Sequence, residues 1–259
     1  MRKVYIVFFT VGISLTLVWS TSYSVGQLKQ FPFDRQNALK EWKEKIFQGR
    51  VLYEVKAEGT KGYVFAKSDK ASSGLFYPIS YSLKKYPYIS WIWRVKEFPL
   101  KTHAGASNKK SWIERDDYAV RMYVIFPAFI FTNTRCLEYI WSESLPKDTV
   151  LTSPFYKNIK LIVLESGSKD LGQWVSEERN VYEDYKKAFG RYPSSNVGAI
   201  AIMTDADNTQ SSAEAGYSDI KIGYERPLLV IPEIKKAGAI KPKPQGLQEY
   251  IEHLFRKGS

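Results

Sequence analysis

Two segments of the sequence alternate apolar and polar side chains residue by residue, and this pattern constrains the fold most strongly. They are YISWIWRV (Tyr88–Val95) and DYAVRMYVIF (Asp117–Phe126). A period of two places successive side chains on opposite faces of a β-strand. Both segments are therefore predicted to be strands with one face in a core, and Trp91, Trp93 and later Trp141 are predicted core residues.

Seven further short apolar segments are separated by Gly, Ser and Lys turns, which is typical of strands. Nine or ten such strands in 259 residues favour a mainly β fold. We predict one antiparallel β-sandwich over residues 31–225, of the jelly-roll, galactose-binding or lectin-like type. The seven segments are Val51–Ala57, Gly62–Ser68, Ser73–Ser80, Cys136–Ser142, Ile159–Ser166, Val197–Met203 and Asp219–Glu225.

One or two short helices are expected to interrupt the strands. Asn180 followed by Glu183 forms a capping-box pattern, and Gly190 is a natural helix end. A second short helix is predicted in ALKEWKEKIF (38–47), where apolar side chains recur at helical spacing.

The C-terminal part of the sequence changes in composition. Prolines over residues 226–246 predict an extended linker. Five apolar side chains at helical spacing then predict a C-terminal amphipathic helix over residues 247–257. They are Leu247, Tyr250, Ile251, Leu254 and Phe255.

The N-terminus has the pattern of a secretory signal peptide. Arg2 and Lys3 precede an uncharged, mostly apolar run, Val4–Trp19, and small residues follow it. We predict a signal peptide over residues 1–24, cleaved after Ser22 or Ser24, and a periplasmic or secreted protein. The alternative is an uncleaved membrane anchor, and the sequence predicts contact with a membrane only in that case.

The net charge of +11 has a different meaning for an exported protein than for a cytosolic one. Nucleic acid is not expected as a partner, whereas acidic glycans and anionic headgroups fit the charge. The alternative is a solvated basic surface without a partner, because the basic residues are scattered along the chain.

Catalytic motifs are mostly missing from the sequence. The chain has two histidines, His103 and His253, and one cysteine, Cys136. They form no nucleophile–base pattern and no zinc pattern. Cys136 is predicted to be a small core residue. The sequence therefore favours a protein that is not an enzyme.

Oxygen-bearing side chains crowd the loop after the Val197–Met203 segment: Asp205, Asp207, Asn208 and Thr209. The spacing does not fit an EF-hand, because Gln210 occupies the glycine position and Gly216 the glutamate position. No cofactor is expected. The open alternatives are an irregular calcium site using Asp205 and Asp207, or a turn in which these side chains cap backbone groups.

A second polar set lies opposite the apolar faces of the predicted strands. It contains Arg94 on one strand, Asp117, Arg121 and Tyr123 on another, and Glu138 on a third. If these strands are neighbours, the set forms a ligand-binding sheet surface. The alternative is a structural ion-pair network beneath a covering loop.

Six motifs follow one another along the chain: ASSGLFYPI, YISWIWRV, RDDYAVRMYVIF, LEYIWS, GQWVSEERNVYEDYKKAFG and VGAIAIMTDADNTQSSAEAGYSDIKI. In this order they resemble a bacterial family known as domain of unknown function 3047. The resemblance covers about Leu39 to Tyr224 and implies an exported protein with a single sandwich domain, but no activity. PAFIFTNTR (127–135) departs from the pattern. The resemblance marks Trp93, Arg94, Asp116, Asp117, Arg121, Asp205, Asp207, Asn208 and Thr209 as motif positions.

These observations lead to three functional hypotheses. The first is a non-catalytic domain that binds a glycan or another envelope component, with ligand-binding residues Arg94, Asp116, Asp117, Arg121, Tyr123 and Glu138. The second is a polysaccharide hydrolase or lyase on the same scaffold, since paired carboxylates are available. The third is a structural or assembly protein of the cell envelope.

Overall fold

The computed structural model describes residues 27–101 and 116–225. The predicted signal peptide, linker and C-terminal helix lie outside these residues, as do His103 and His253. Within the described ranges no helix has both the length and the apolar character that crossing a membrane requires.

The described chain forms thirteen strands, one α-helix and a 3₁₀ turn at Phe131–Asn133. The strands of the N-terminal half are β1 (Lys29–Phe31), β2 (Lys43–Gln48), β3 (Leu52–Glu58), β4 (Lys61–Asp69), β5 (Ser72–Tyr81) and β6 (Tyr88–Glu97). Those of the C-terminal half are β7 (Arg121–Phe126), β8 (Arg135–Ser142), β9 (Val150–Thr152), β10 (Ile159–Ser166), β11 (Val175–Asn180), β12 (Val197–Asp205) and β13 (Ser212–Tyr224). The helix α1 spans Val181–Phe189.

The strands form two sheets that pack face to face as a sandwich, which confirms the predicted fold. The first sheet has the order β11-β6-β13-β4-β3, and β1 also pairs with β13. The second has the order β2-β5-β12-β7-β8-β10-β9. The pairs are antiparallel except β8 with β10, which run parallel.

The core lies between the sheets and is filled by the alternating side chains. Trp91 and Trp93 of β6 are fully buried, as are Met122 and Val124 of β7. Trp141 is 1% exposed, so the prediction of three core tryptophans is confirmed. Burial of this apolar area is the main favourable term in folding. Cys136 is also buried, as predicted, although it lies on the outer face of the second sheet.

Helix α1 begins and ends where the sequence predicts. The side chain of Asn180 accepts a hydrogen bond from the backbone N–H of Glu183, at 3.2 Å. Gly190 ends the helix with φ 71°, a left-handed conformation that favours glycine.

The helix predicted over 38–47 is wrong. Successive turns, closed by backbone bonds such as Ala38 N–H to the Arg35 carbonyl, lead into Trp42, and β2 follows. Strand β2 is a mostly exposed edge strand that pairs with β5. The apolar residues of 38–47 recur at helical spacing, although the segment is not a helix. Trp42 instead packs edge-to-face against Phe31, just before β2.

Candidate functional site

A buried ion pair joins two neighbouring strands of the second sheet. Arg121 begins β7, Asp205 ends β12, and Met203 pairs with Arg121 across the ladder. The Arg121 Nε donates to Oδ1 of Asp205 at 2.9 Å, and Nη2 donates to Oδ2 at 2.5 Å. Both side chains are nearly inaccessible to solvent. The two parallel charge-assisted bonds fix the geometry of the pair.

The remaining guanidinium nitrogen of Arg121 points to the third strand, β8. Nη1 lies 2.6 Å from the Glu138 carboxylate, 3.4 Å from the Tyr123 hydroxyl and 3.7 Å from Asp116. Each guanidinium nitrogen of Arg121 thus already donates to a group of the protein. The Arg121 side chain is also only 4% exposed, which leaves a ligand carboxylate or phosphate no open path to it, so Arg121 serves as an internal anchor.

Three buried carboxyl groups, those of Asp116, Glu138 and Asp205, lie around the positive charge of Arg121. Burial raises the pKa of Asp116 to about 7, against the opposing effect of Arg121. Burial also raises the pKa of Glu138, and that of Asp205 to about 7. Asp205 accepts three hydrogen bonds, one of them from the backbone N–H of Tyr118 at 2.9 Å. Asp116 has the longest contact with Arg121 of the three acids. We therefore expect Asp116 to be the acid of this cluster that is protonated most readily.

Tyr217 connects this cluster to the first sheet. Its hydroxyl donates to the Met203 carbonyl at 2.5 Å and lies 3.0 Å from the Thr204 hydroxyl. It also accepts the backbone N–H of Arg121 at 3.2 Å. A buried polar network thus spans the sandwich at this end.

Asp117 fixes the turn that follows β12. Its Oδ1 accepts the backbone and side-chain N–H groups of Asn208, at 3.4 and 3.0 Å. Its Oδ2 accepts the backbone N–H and the hydroxyl of Thr209, both at 2.7 Å. Asp117, 91 residues earlier in the sequence, therefore caps the backbone of the predicted loop motif. Two side chains of the motif also bond backbone groups, as predicted: Asp205 accepts the N–H of Tyr118, and the Thr209 hydroxyl donates to the Ala206 carbonyl.

The same turn contains the predicted metal ligands. Carboxylate oxygens of Asp117, Asp205 and Asp207 lie within 4.8 Å of one another. The oxygens of Asp117 and Asp205 already accept hydrogen bonds, and Arg121 already supplies positive charge. Burial, with the neighbouring Asp117 charge, raises the pKa of Asp207. Since Ca²⁺ takes six to eight oxygens, this donor set fits a hydrogen-bonded turn better than a calcium ion.

The predicted polar surface is only partly assembled. Arg121, Tyr123 and Glu138 meet on the outer face of the second sheet, where Tyr123 pairs with Glu138 across β7 and β8. Asp116 joins them. Arg94 does not, because β6 belongs to the first sheet, so its assignment to a surface shared with Arg121 is wrong. Arg121, Glu138 and Asp116 are buried and Tyr123 is half-buried, as the ion-pair alternative predicts.

Arg94 lies in a second polar site, on the outer face of the first sheet. Its guanidinium carbon is 4.1 Å from the ring centre of Trp174 and 5.4 Å from that of Tyr63. Nη1 donates to Glu58 at 2.8 Å, and this bond lowers the pKa of the Glu58 carboxyl. The Arg94 Nε–H is buried and has no hydrogen-bond partner within the described residues.

Aromatic side chains share the outer face of the first sheet with Arg94, and the two on β4, Tyr63 and Phe65, are largely buried. Tyr63 and Phe65 alternate along β4 with the core residues Val64 and Ala66. Trp174 packs edge-to-face against Tyr63 at 5.2 Å. We call Tyr63, Phe65, Arg94 and Trp174 the aromatic face.

Flexible lysine side chains partly cover the aromatic face. The Lys56 Nζ lies 3.5 Å from the Phe65 ring centre, and the Lys61 Nζ lies 5.3 Å from that of Trp174. Gly216 of β13 lies beneath Trp174, since a Cβ there would come within 2.8 Å of the indole. Sequence reasoning missed Tyr63 and Trp174. A glycine inside a strand is the signal that could have indicated this close approach.

Comparison with solved structures finds sandwich domains at low identity. The enzymatically active domain of tailspike protein 4 of bacteriophage CBA120 is 7% identical over 75% of this chain, with a TM-score of 0.39, and this chain covers 20% of it. A cellulase derived from Cel12A of Rhodothermus marinus is 9% identical over 71% of this chain and 97% of its own, with a TM-score of 0.42. The mannan-recognising module TmCBM27 is 8% identical over 78% and 99%, with a TM-score of 0.34. No function follows from likenesses this distant.

Comparison with curated proteins finds no match. A family model described as protein of unknown function (DUF3047) matches residues 40–221, which include both polar sites and all strands except β1 and the end of β13. The resemblance seen in the sequence motifs is thereby confirmed, and the chain belongs to this family.

Proposed function

We propose that this protein is a non-catalytic glycan-binding domain of the cell envelope, and that the glycan lies on the aromatic face. One observation carries the proposal: the buried Arg94 Nε–H has no partner among residues 27–101 and 116–225, and the guanidinium lies beside the Trp174 and Tyr63 rings. Orphaned buried donors are rare in proteins and cost free energy until they are paired. A hydroxyl or carboxylate of a ligand would supply the missing acceptor once the side chains that cover Arg94, Tyr63 and Phe65 move aside.

The chemistry of the aromatic face suits a sugar ring. Sugars present an apolar side of C–H bonds, which packs on aromatic rings, and a rim of hydroxyls that hydrogen-bond to planar groups such as guanidinium. The Lys56 and Lys61 side chains over the rings are long and flexible. They can swing aside and keep their charges in water.

The carboxylate at this face does not suit hydrolysis. A glycosidase needs one carboxyl group that keeps its proton near neutral pH. The pKa of Glu58 is lowered, because Arg94 hydrogen-bonds to its ionised form. We therefore expect binding without turnover, and export through the predicted signal peptide would bring the domain to envelope glycans.

A glycan array tests the proposal, with envelope polysaccharides that include neutral and acidic chains. We expect Trp174→Ala and Arg94→Gln to weaken binding at least about tenfold, since truncating a central aromatic or arginine of an interface typically costs more than ~1.4 kcal/mol. Arg191→Gln is the matched control, because Arg191 is exposed and follows helix α1, which leaves the first sheet at the Tyr88 end of β6 and not at the Arg94 end. The proposal fails if the wild type binds no glycan or if Trp174→Ala binds equally well.

The hydrolase or lyase hypothesis has one observation in its favour. Burial raises the pKa of Asp116 to about 7, near the value that a general acid needs. Release of reducing ends from envelope polysaccharides by the wild type, and its loss in Asp116→Asn, would establish this second function and contradict the first.

A further inference from the structure

One end of the second sheet carries two loops that lie side by side. The first, 127–134, connects β7 with β8, and the second, 153–158, connects β9 with β10. The side chain of Asn158 donates to the Thr132 carbonyl at 2.8 Å, and the backbone N–H of Cys136 donates to the Asn158 carbonyl at 3.0 Å. These bonds hold the two loops together at the same end.

Large apolar side chains on these loops point into solvent. Phe129 is fully exposed at 107%, and Ile130 is 58% exposed. On the second loop, Phe155 is 48% and Tyr156 67% exposed. We call these four residues the apolar tip. Single exposed apolar residues are ordinary, but four of them on adjoining loops indicate an interaction site.

The charge around the apolar tip is positive. Residues 127–137 and 149–164 contain no Asp or Glu, whereas they contain Arg135, Lys157 and Lys160. Arg135 donates to the Tyr185 hydroxyl and Lys160 to the Thr152 hydroxyl. Both of these hydroxyl partners are neutral and do not compensate the positive charges. Arg135 and Lys160 can therefore attract an anionic partner outside the chain.

The loops are held in place by local packing. Pro127 lies against Gly198, where a Cβ would come within 2.5 Å of the proline ring. The backbone N–H of Ala128 donates to the Thr134 hydroxyl at 3.3 Å. A tip already ordered before contact loses less entropy on binding.

We propose that the apolar tip inserts into the surface of a membrane that contains anionic lipid. Protruding loops with aromatic and aliphatic residues suit the boundary between headgroups and acyl chains, where burial reaches about 5–10 Å. The neighbouring cations add attraction to anionic headgroups. The inference goes beyond the glycan proposal and does not depend on it, since the aromatic face lies on the other sheet.

A local probe separates insertion of the tip from attachment through any other part of the full chain. Phe129→Cys is labelled with an environment-sensitive NBD fluorophore, and Leu100→Cys serves as the matched control. Leu100 is 71% exposed, and its backbone N–H bonds Ser211 in the turn after β12, at the opposite end of the sandwich. The native Cys136 is buried, and burial raises its thiol pKa, so the label goes to the introduced thiol.

The labelled chains are mixed with vesicles of phosphatidylcholine, alone or with phosphatidylglycerol. We expect the label at 129 to shift to the blue on phosphatidylglycerol vesicles and to be quenched by lipids with nitroxide-bearing acyl chains. The label at 100 should stay unchanged. Lys157→Glu with Lys160→Glu should weaken the response at 129 at least about tenfold, because each cation near an anionic surface contributes ~1 kcal/mol.

Three results would overturn the inference. One is that the full chain binds no vesicles. Another is that it binds them while the label at 129 stays in water. The third is that the label at 129 becomes buried without vesicles, in proportion to protein concentration, because the tip would then be a contact between copies of the chain.

Discussion

Arg121 holds two buried carboxylates, Asp205 and Glu138, at opposite sides of one guanidinium. Removing one partner of a buried pair leaves an uncompensated charge away from water, which is far more costly than losing an exposed pair. The contribution of this residue is therefore to stability, by joining β7, β8 and β12.

For Arg121→Leu we expect a loss of about 3–5 kcal/mol in the free energy of unfolding, measured by urea denaturation. Arg35→Leu, at an arginine whose side chain is 79% exposed, should change it by less than about 0.5 kcal/mol. A loss below about 1 kcal/mol for Arg121→Leu would contradict the anchoring role.

The buried Asp116 carboxyl makes the stability of the folded chain depend on pH. Its pKa is raised to about 7 in the folded chain, whereas an unfolded aspartate titrates near 3.8. Between these values the folded state binds more protons than the unfolded state, so this group makes stability fall as pH rises from about 4 to about 7. Above about pH 7 the Asp116 carboxyl is ionised in both states, so the free-energy cost of burying its charge fully destabilises the folded state.

Asparagine imitates the protonated carboxyl group, and this gives a test. We expect Asp116→Asn to melt at a higher temperature than the wild type at pH 8, with the difference disappearing near pH 4, measured by calorimetry. Asp34→Asn, at a half-exposed aspartate, should show no such dependence. An equal difference at both pH values would contradict the assignment of the proton.

Sequence reasoning found part of each site. Alternation along β7 correctly placed Arg121 and Tyr123 opposite the core, and alternation along β8 did so for Glu138. The bond from Arg121 to Asp205 crosses 84 residues of sequence, and no local pattern encodes such a contact. Arg94 was assigned to the wrong surface for the same reason. Alternation along a strand shows on which face of the strand a residue lies, but it does not show which sheet the strand joins.

Strands were predictable where apolar residues alternate along them, as in the edge strand β3, and not where charged residues replace that pattern. The central strand β6 alternates cleanly and was predicted nearly at its observed bounds. The edge strand β11 has the sequence VSEERN and was missed, because charged residues protect edges and remove the apolar signal. Strand β13 begins at Ser212, seven residues before its prediction, since its small residues Ala213 and Ala215 fill the core.

Strand β13 also creates the space for Trp174. In Gly216→Ala the new Cβ would lie 2.8 Å from the indole and 3.3 Å from the Tyr63 ring. We expect the variant to fold but to bind glycan at least about tenfold more weakly, because Trp174 must tilt away from the strand.

Gly74→Ala on β5 is the matched control for this substitution. A Cβ there meets the Ile202 carbonyl at 3.2 Å, a small strain on the other sheet. Equal affinities of the two glycine variants on the same array would show that the position of Trp174 does not matter for binding.

At the scale of the whole molecule, two sheets bury one large aromatic core and place polar sites on different outer faces. The buried network around Arg121 and Tyr217 ties the sheets together at one end. The aromatic face and the apolar tip lie on opposite sheets. This arrangement separates stability from binding, so variants of one site should leave the others intact.

The thermal stability of the whole domain tests the calcium prediction. Because Asp117 and Asp205 already accept hydrogen bonds in the turn after β12, we expect calcium or a chelator to leave the melting temperature unchanged. An increase of several degrees that saturates with calcium would instead show a metal site in this turn.

The most direct test of glycan binding follows the indole N–H resonances of the six tryptophans that remain when the predicted signal peptide, with Trp19, is removed. The spectrum is recorded while the polysaccharide with the strongest array signal is titrated into the protein. We predict that the resonance of Trp174 moves and saturates with binding, while those of the buried Trp91 and Trp93 stay in place. Saturating binding with an unmoved Trp174 resonance would contradict the assignment of the aromatic face as the binding site.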